Sequence, residues 1–599
     1  MSTTLRHTEY YGMQDTFEDL YDRSRNNATK GLRLYEHIIS KDNILLAFRN
    51  IKANTGSKTA GTDGITIDKY KIENVDEFIE EIRKTLKNYK PQTVRRVEIP
   101  KPNGKKRPLG IPTMRDRLIQ QMFKQVLESI CEAKFYNHSY GFRPNRSTHH
   151  AMARCQFLVN NVKLHHAVDI DIQGFFDNVS HSKLIKQMYS IGIQDDRVLT
   201  IVAKMLKAPI KGVGVPTKGT PQGGILSPLL SNIVLNDLDW WIASQWECLK
   251  TKRTYSTNYK TKVLKRTDLK QMYIVRYADD FKIFTNSHQS AIKIFHATKE
   301  YLKNQLNLNI STEKSAITNL RKRKSDFLGF SLKAVAKRNK YVANTHVMDK
   351  KVKIILKKFK DLIRRIQRNP SPKTVMDYNA YILGIKNYFK VATHINIDFG
   401  KITYRLIKTL YNRLKSIGKY GKPIKPSVTY KRLHKNNFKT YKIAGLYLFP
   451  LGDIQTSNAM NFSQNICNYT KEGRIKLHKN LRADVAIEIS KMLQIPYGKD
   501  NLEVADNRIS RYSMQLGKCA VTGGFLTSDQ VHCHHKLPRH MRGTDEFNNL
   551  VIVHKDVHRL IHATNDETIK RYRNILQLDR KQLRKLNQFR EVCNLIALV

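Results

Sequence analysis

The stretch that most constrains this chain is YIVRYADDFKIF, residues 273–284. Two runs rich in Ile, Val, Tyr and Phe flank Ala278, Asp279 and Asp280, a pattern that predicts a β-hairpin bending at the polar residues. Such a bend holds two adjacent carboxylates in the open. Neighbouring anions raise each other's pKa unless a cation lies between them. An Asx turn that merely favours Asp looks the same in isolation. The rest of the chain separates these readings.

In AVDIDIQGFFDNV (167–179), Val168, Ile170 and Ile172 alternate with Asp169 and Asp171. One face of this strand is therefore buried and the other carries two carboxylates, with Asp177 past its end. Asp is depleted in strands, so that face calls for oxygen ligands to a hard divalent cation. Between the two stretches lies KGTPQGGILSPLLSNIVLNDLDWWI (218–242). GTPQGG reads as a loop whose small residues allow close backbone approach. The helix after it takes Ser227 as its cap and Pro228 as its first residue.

Upstream, DNILLAFRNIKAN predicts a helix capped by Asp42, and TGSKTAGTDGIT a glycine-rich loop. VRRVEI alternates like a strand, PNGKK is a turn, RPLGIP is extended, and a helix follows from Asp116. This hairpin presents Arg95, Arg96, Lys101, Lys105, Lys106 and Arg107, as a cradle for phosphates or as a solvated edge guarded against aggregation. SYGFRPNRSTHHA (139–151) is a second loop, with arginines ahead of a helix N-terminus, which suits an anion.

Charge sets the class of partner. The 599 residues carry 106 Lys and Arg against 51 Asp and Glu, a formal +55, so nucleic acid is the expected ligand. Such a length requires several domains. A membrane association is not expected: no apolar run reaches spanning length and the start has no signal-peptide core. Seven cysteines without a C-x-x-C pair fit a reducing, cytoplasmic setting. Residues 350–368 hold nine basic residues and one acid, with Val352, Ile355, Leu356, Phe359, Leu362, Ile363 and Ile366 on one helical stripe. That helix is expected to track a phosphate backbone.

The order of an Asp-bearing strand, a PQG loop opening a helix, and YADD in a hairpin resembles a reverse transcriptase palm. NTGSKTAGTDGIT, RPLGIPTMRDRLIQ, YGFRPNRS, TPQGGILSPLLSNIVL, DFLGFSL and YILGIKNYF (381–389) resemble successive motifs of group II intron-encoded reverse transcriptases with maturase activity. By this resemblance Asp171, Asp279, Asp280 and the backbone carbonyl of Ile172 hold two Mg²⁺ ions. It places Phe176 under the sugar, where it favours dNTPs, Gln222 and Gly223 against the incoming nucleotide, and Lys101 and Arg107 on its triphosphate. FLGF (327–330) then matches the hairpin that holds the primer end.

The C-terminal HCHHKLPRH and FNNLVIVHKDVHRLIHA segments carry seven histidines between His532 and His562. His558 and His562 lie four apart and share a helix face, so they can bind one metal. The pattern is similar to the HNH, or ββα-metal, nuclease fold. By that resemblance His534 completes a divalent-metal site, His535 is the general base and Asn549 orients it. Nucleases of this kind often carry two C-x-x-C pairs around a structural zinc. Here Cys519-Ala-Val-Thr522 stands where the first would lie and no second follows, so a reduced or absent structural zinc is expected.

Taken together, the expected fold is multidomain α/β and α. It comprises an N-terminal extension (1–41), fingers (42–165), an α+β palm with an antiparallel sheet (166–340), and a helical thumb or X domain (341–420). A DNA-binding region (421–515) and an HNH domain (516–599) follow. The implied protein copies RNA into DNA, assists splicing of its intron RNA, and nicks double-stranded target DNA for retrohoming. The rival readings are a non-catalytic splicing maturase and the reverse transcriptase of a retron or diversity-generating element.

Overall fold

The computed structural model describes residues 3–52, 54–70, 74–100, 106–434, 436–478, 483–493 and 502–598. The turn with Lys101 and Lys105 lies outside them. Two compact units form, Met13–Tyr469 and Met1–Gly12 with Thr470–Val599, so the division falls inside the segment 421–515. No helix among the described residues is long and apolar enough to cross a membrane.

In the larger unit, β1 (Arg95–Pro100) and β2 (Lys106–Ile111) form an antiparallel hairpin that pairs Arg95 with Ile111. The following helix is Met114–Glu132, which starts ahead of Asp116 because the Thr113 hydroxyl accepts the Asp116 N–H at 3.4 Å. The Asp116 carboxylate is instead buried, taking the Tyr89 hydroxyl at 3.0 Å and the Gln92 N–H at 2.9 Å. Helix Lys41–Lys52 likewise begins before Asp42, with Ser40 Oγ accepting the Asn43 N–H at 3.3 Å. In both places a hydroxyl just upstream takes an amide of the first turn and moves the helix start ahead of the Asp.

The central sheet holds β3 (His166–Ile170), β4 (Met272–Tyr277), β5 (Asp280–Thr285) and β6 (Ala316–Asn319) in the order β4-β5-β3-β6, all antiparallel. Its period-two alternation puts Val168, Ile170, Phe281 and Ile283 in the core. Helix Ser227–Gln245 packs on β4. Ser227 does not cap it: its hydroxyl turns back to donate to the Pro221 carbonyl at 2.7 Å, fastening the PQGG loop.

A second sheet, β7 (Ser325–Phe327), β8 (Phe330–Lys337) and β9 (Lys340–Val347), begins with the FLGF turn. Leu328 and Gly329 both have positive φ (51° and 83°), the signature of a two-residue primed turn. Helices Asp349–Arg368, Pro372–Phe389 and Ile395–Leu414 pack behind it. The predicted stripe is the inner face of the first, with Ile355, Phe359, Leu362, Ile363 and Ile366 buried. Ser371 does not merely end that helix. It caps the next through a capping box with Thr374. Tyr388 stacks on Phe330 (centroids 5.7 Å apart) and donates to the Leu328 carbonyl at 2.9 Å, tying the 381–389 segment to the FLGF turn.

The smaller unit pairs strands Val531–His535 and Leu550–His554 in a hairpin that runs into helix Lys555–His562. Its core gathers Ile552, Val557, Leu560, Ile561 and Leu586. Arg590, buried on helix Arg580–Val592, donates to the carbonyls of Leu560 (2.9 Å), Ile561 (3.1 Å) and Ala563 (2.8 Å). A cation thus closes the C-terminus of the histidine-bearing helix, where unpaired carbonyls collect negative charge.

Candidate active sites

The YADD turn is over-determined. Ala278 has φ +59°, a left-handed conformation that costs a residue with a Cβ about 1–2 kcal/mol. Arg276, 1% exposed, donates to the Ala278 carbonyl at 2.8 Å and to Asn232 at 2.9 Å. Its other guanidinium nitrogens reach the fully buried Asp239 at 2.6–3.0 Å. Residues 138–140 form a single parallel bridge on the free edge of β4, with Arg276 N–H to the His138 carbonyl (3.1 Å) and Tyr140 N–H to the Arg276 carbonyl (2.9 Å). A Cβ on Gly141 would lie 2.2 Å from the Ala278 nitrogen, so only glycine lets this loop back the turn. The YGFRPNRS arginines are structural: Arg143 is buried with a two-pronged bond to Glu132 (2.9 Å each), and Arg146 lies 3.4 Å from the same carboxylate. They are not displayed to an anion.

Register brings the carboxylates together. β3 pairs Ile170 with Phe281, so the next positions, Asp171 and Asp280, adjoin at the end of the sheet with Asp279 in the turn. Burial, reinforced by Asp171, pushes the Asp279 carboxyl up. Asp280 reaches the surface at the mouth, yet the protein packed around it, with Asp279, Asp169 and Asp171, pushes it up to about 6 against the pull of Lys282. Asp169 is spoken for: Lys282, buried on β5, bonds it, and Ser325 Oγ donates to it at 2.6 Å. Lys314 lies 3.0 Å from Asp171 Oδ2, a cation already standing among these anions. The bridge beside Ile172 uses the Asp171 carbonyl and the Gln173 N–H, and so leaves the Ile172 carbonyl out of it. An all-oxygen donor set with raised carboxyls fits a hard divalent cation.

On the nucleotide side, Phe175 is core at 2% exposure, whereas Phe176 lies half-buried on the wall of a cavity of about 290 Å³. Arg96, Leu109 and Gln222 line the same cavity. Arg107 Nε donates to Gln222 Oε1 at 2.7 Å and the Gly110 N–H to the Gln222 carbonyl at 2.6 Å, which docks the PQG loop on β2. Gly223 has φ +107° and a Cβ there would come 2.5 Å from the Gly110 carbonyl. Lys101 falls outside the described residues.

In the smaller unit, ligand atoms of His534, His558 and His562 lie within 4.8 Å of one another. Among the described residues this is the one such group. Burial first, then the neighbouring imidazoles, push His534 and His558 down to about 3, and burial lowers His562 as well, so all three imidazoles are neutral at ordinary pH, the form that can bind a metal. His534 Nε2 is buried without a hydrogen-bond partner, which fits a bound ion. His535 Nε2 lies 2.7 Å from Asp545 Oδ1, and Arg539 donates to that oxygen at 2.9 Å. Burial works against the Asp545 charge, but these bonds hold its carboxyl low, so it accepts the ring N–H and leaves Nδ1 as the basic nitrogen. The residue bonded to His535 is therefore Asp545, not Asn549. The Asn549 amide bonds Leu537 and Thr544 and braces the loop between them. Cys519 is buried as a free thiol that accepts the His554 N–H at 3.3 Å.

The family model for reverse transcriptase (RNA-dependent DNA polymerase) matches residues 99–332, the span that holds the hairpin, the carboxylates and the PQG loop. The class defined by this fold and site is RNA-directed DNA polymerase. The "Group II intron-encoded protein LtrA" of Lactococcus lactis subsp. cremoris is 31% identical over 453 residues, covering 64% of this chain and 74% of that relative. "Protein YkfC" of Escherichia coli (strain K12) is 32% identical over 326 residues, 52% and 84% of the two chains. The "Putative COX1/OXI3 intron 2 protein" of Saccharomyces cerevisiae is 25% identical over 565 residues, 84% and 64%. The chain belongs to the group II intron-encoded proteins, reverse transcriptases of the maturase type.

Proposed function

We propose that this protein copies its intron RNA into DNA at Asp171, Asp279 and Asp280, assists splicing of that RNA, and nicks target DNA with the histidine cluster of its smaller unit. The observation that carries the polymerase assignment is the register of β3 against β5, which joins two carboxylate-bearing segments at one sheet end. Bound Mg²⁺ would activate the primer 3′-hydroxyl and stabilise the leaving pyrophosphate. Asp171, Asp279, Asp280 and the Ile172 carbonyl would hold it. The protein's own part is positioning: Arg276 fixes the turn, Gln222 and Gly223 form the floor for the nucleotide, and Arg107 supplies positive charge at its edge.

Phe176 sets sugar choice by occupying the space of a 2′-hydroxyl. RNA-templated primer extension tests this. Wild-type protein incorporates dNTPs, and Phe176→Ala raises ribonucleotide use relative to dNTPs by about 10- to 100-fold. Unchanged discrimination would return Phe176 to a packing role.

For the nuclease, His535 takes a proton from water while Asp545 holds its tautomer. His534, His558 and His562 would bind the metal that supplies Lewis acidity at the scissile phosphate. His535→Ala lowers nicking of a double-stranded target by about 10²–10⁴-fold, and Asp545→Asn by about 10-fold or more. Metal content should stay the same in both. Wild-type nicking by His535→Ala would remove the assignment.

A further inference from the structure

We propose that the outward face of helix Ile395–Leu414 binds an unpaired RNA strand by stacking bases on Tyr404 and Tyr411. The inference rests on RNA being this protein's partner and places one contact surface for it. The inner face is accounted for: Ile395, Phe399, Ile402, Leu406 and Leu414 are buried in the core. The outer face repeats with the same spacing, Ile397, Lys401, Tyr404, Lys408, Tyr411 and Lys415, and every one of these is exposed. Steps of four and three residues keep them on a single stripe.

A lone exposed tyrosine is ordinary. Here the rings stand far out, Tyr404 at 79% and Tyr411 at 57%, and a lysine follows each apolar residue. The Lys415 ammonium lies 5.2 Å from the centroid of Tyr411, so ring and cation form one patch. The one acid of the helix, Asp398, is turned away to His346 (2.9 Å) and the Val347 N–H (2.7 Å). Flat rings interleaved with cations match a strand whose bases are free to stack and whose phosphates seek positive charge. Tyr404 and Tyr411 are two helical turns apart, about 10.5 Å, a distance that one extended strand can bridge. A duplex keeps its bases paired and offers the rings no face. A second copy of this chain would set lysine against lysine, in a molecule already at +55.

The test uses the full chain and 4-thiouridine-containing oligouridine of about 12 nucleotides, with an RNA duplex of equal length as control. Photocrosslinks should map to Tyr404 and Tyr411. Tyr404→Ala/Tyr411→Ala should remove them and weaken single-strand binding about 10- to 100-fold, with duplex affinity within about twofold. Tyr404→Phe/Tyr411→Phe should bind as wild type, since the ring is kept. Primer extension by the alanine pair, at the wild-type rate, shows that the fold is intact. Absence of crosslinks on this helix, equal loss of duplex and single strand, or a phenylalanine pair as weak as the alanine pair would overturn the proposal. So would a wild-type dimer that the alanine pair dissociates. Failure of the wild-type chain to bind any RNA would instead overturn the RNA-partner reading beneath it.

Discussion

Arg276→Met should destabilise the Met13–Tyr469 unit by about 3–5 kcal/mol, the range for breaking a buried ion pair from one side. The substitution strands Asp239, which is fully buried, as an unpaired anion. It also frees the Ala278 carbonyl, so the left-handed turn that presents Asp279 and Asp280 loses its clamp. Removing both charges separates these effects. Arg276→Met/Asp239→Leu should recover most of the stability, because a well-packed apolar pair can replace a buried ion pair. Polymerisation should stay depressed in the double variant, because nothing holds the turn. Denaturant melts read the first quantity and primer extension the second. Recovery of both would show that Arg276 acts through stability alone.

Asp280→Asn should lower RNA-templated synthesis by about 10³-fold, yet raise stability at neutral pH. The sign follows from the carboxyl's pKa. It is about 6 in the folded protein, above an unfolded value near 3.9. Ionisation of this group therefore opposes folding. The penalty is absent below about pH 4, develops between there and about pH 6, and is complete above that. Because Asp280 reaches solvent, the gain is held to about 1 kcal/mol or less at pH 7.5, with none at pH 4. Thermal melts across this window measure it. In wild-type protein, synthesis should fall as pH drops toward 6 and below, since protons then compete with the divalent cation for Asp280. A variant less stable than wild type above pH 6 would mean that the carboxylate is structural.

The parts legible from sequence are those governed by local period. Alternation placed Val168 and Ile170 inside and left Asp171 at the strand end, although Asp169 on the same face is taken up by Lys282, and the helical stripe from Val352 to Ile366 is buried as its spacing implies at Ile355, Phe359, Leu362, Ile363 and Ile366. What escaped depends on partners distant in the chain. Arg143 reads as an anion-binding arginine until Glu132 is seen beside it. Gly141 reads as a turn residue until the Ala278 backbone closes on it. Asp545 reaches His535 only because the loop between them folds back, and no spacing rule announces that. The helix starts slipped for a simpler reason: the Ser40 and Thr113 hydroxyls take first-turn amides ahead of Asp42 and Asp116, and a string of letters does not rank these residues as starting points. The signal for Lys282 was present, since FKIF puts one charge in the middle of an apolar strand, and the register sets it opposite Asp169.

The proposed polymerisation centre draws on two distant segments, and Asp171→Asn tests it from the segment that lacks the YADD turn. Single-turnover extension of a DNA primer on an RNA template should be slowed by about 10³-fold or more, with primer–template affinity within about threefold of wild type. Extension at the wild-type rate by Asp171→Asn would place Asp171 outside the polymerisation centre.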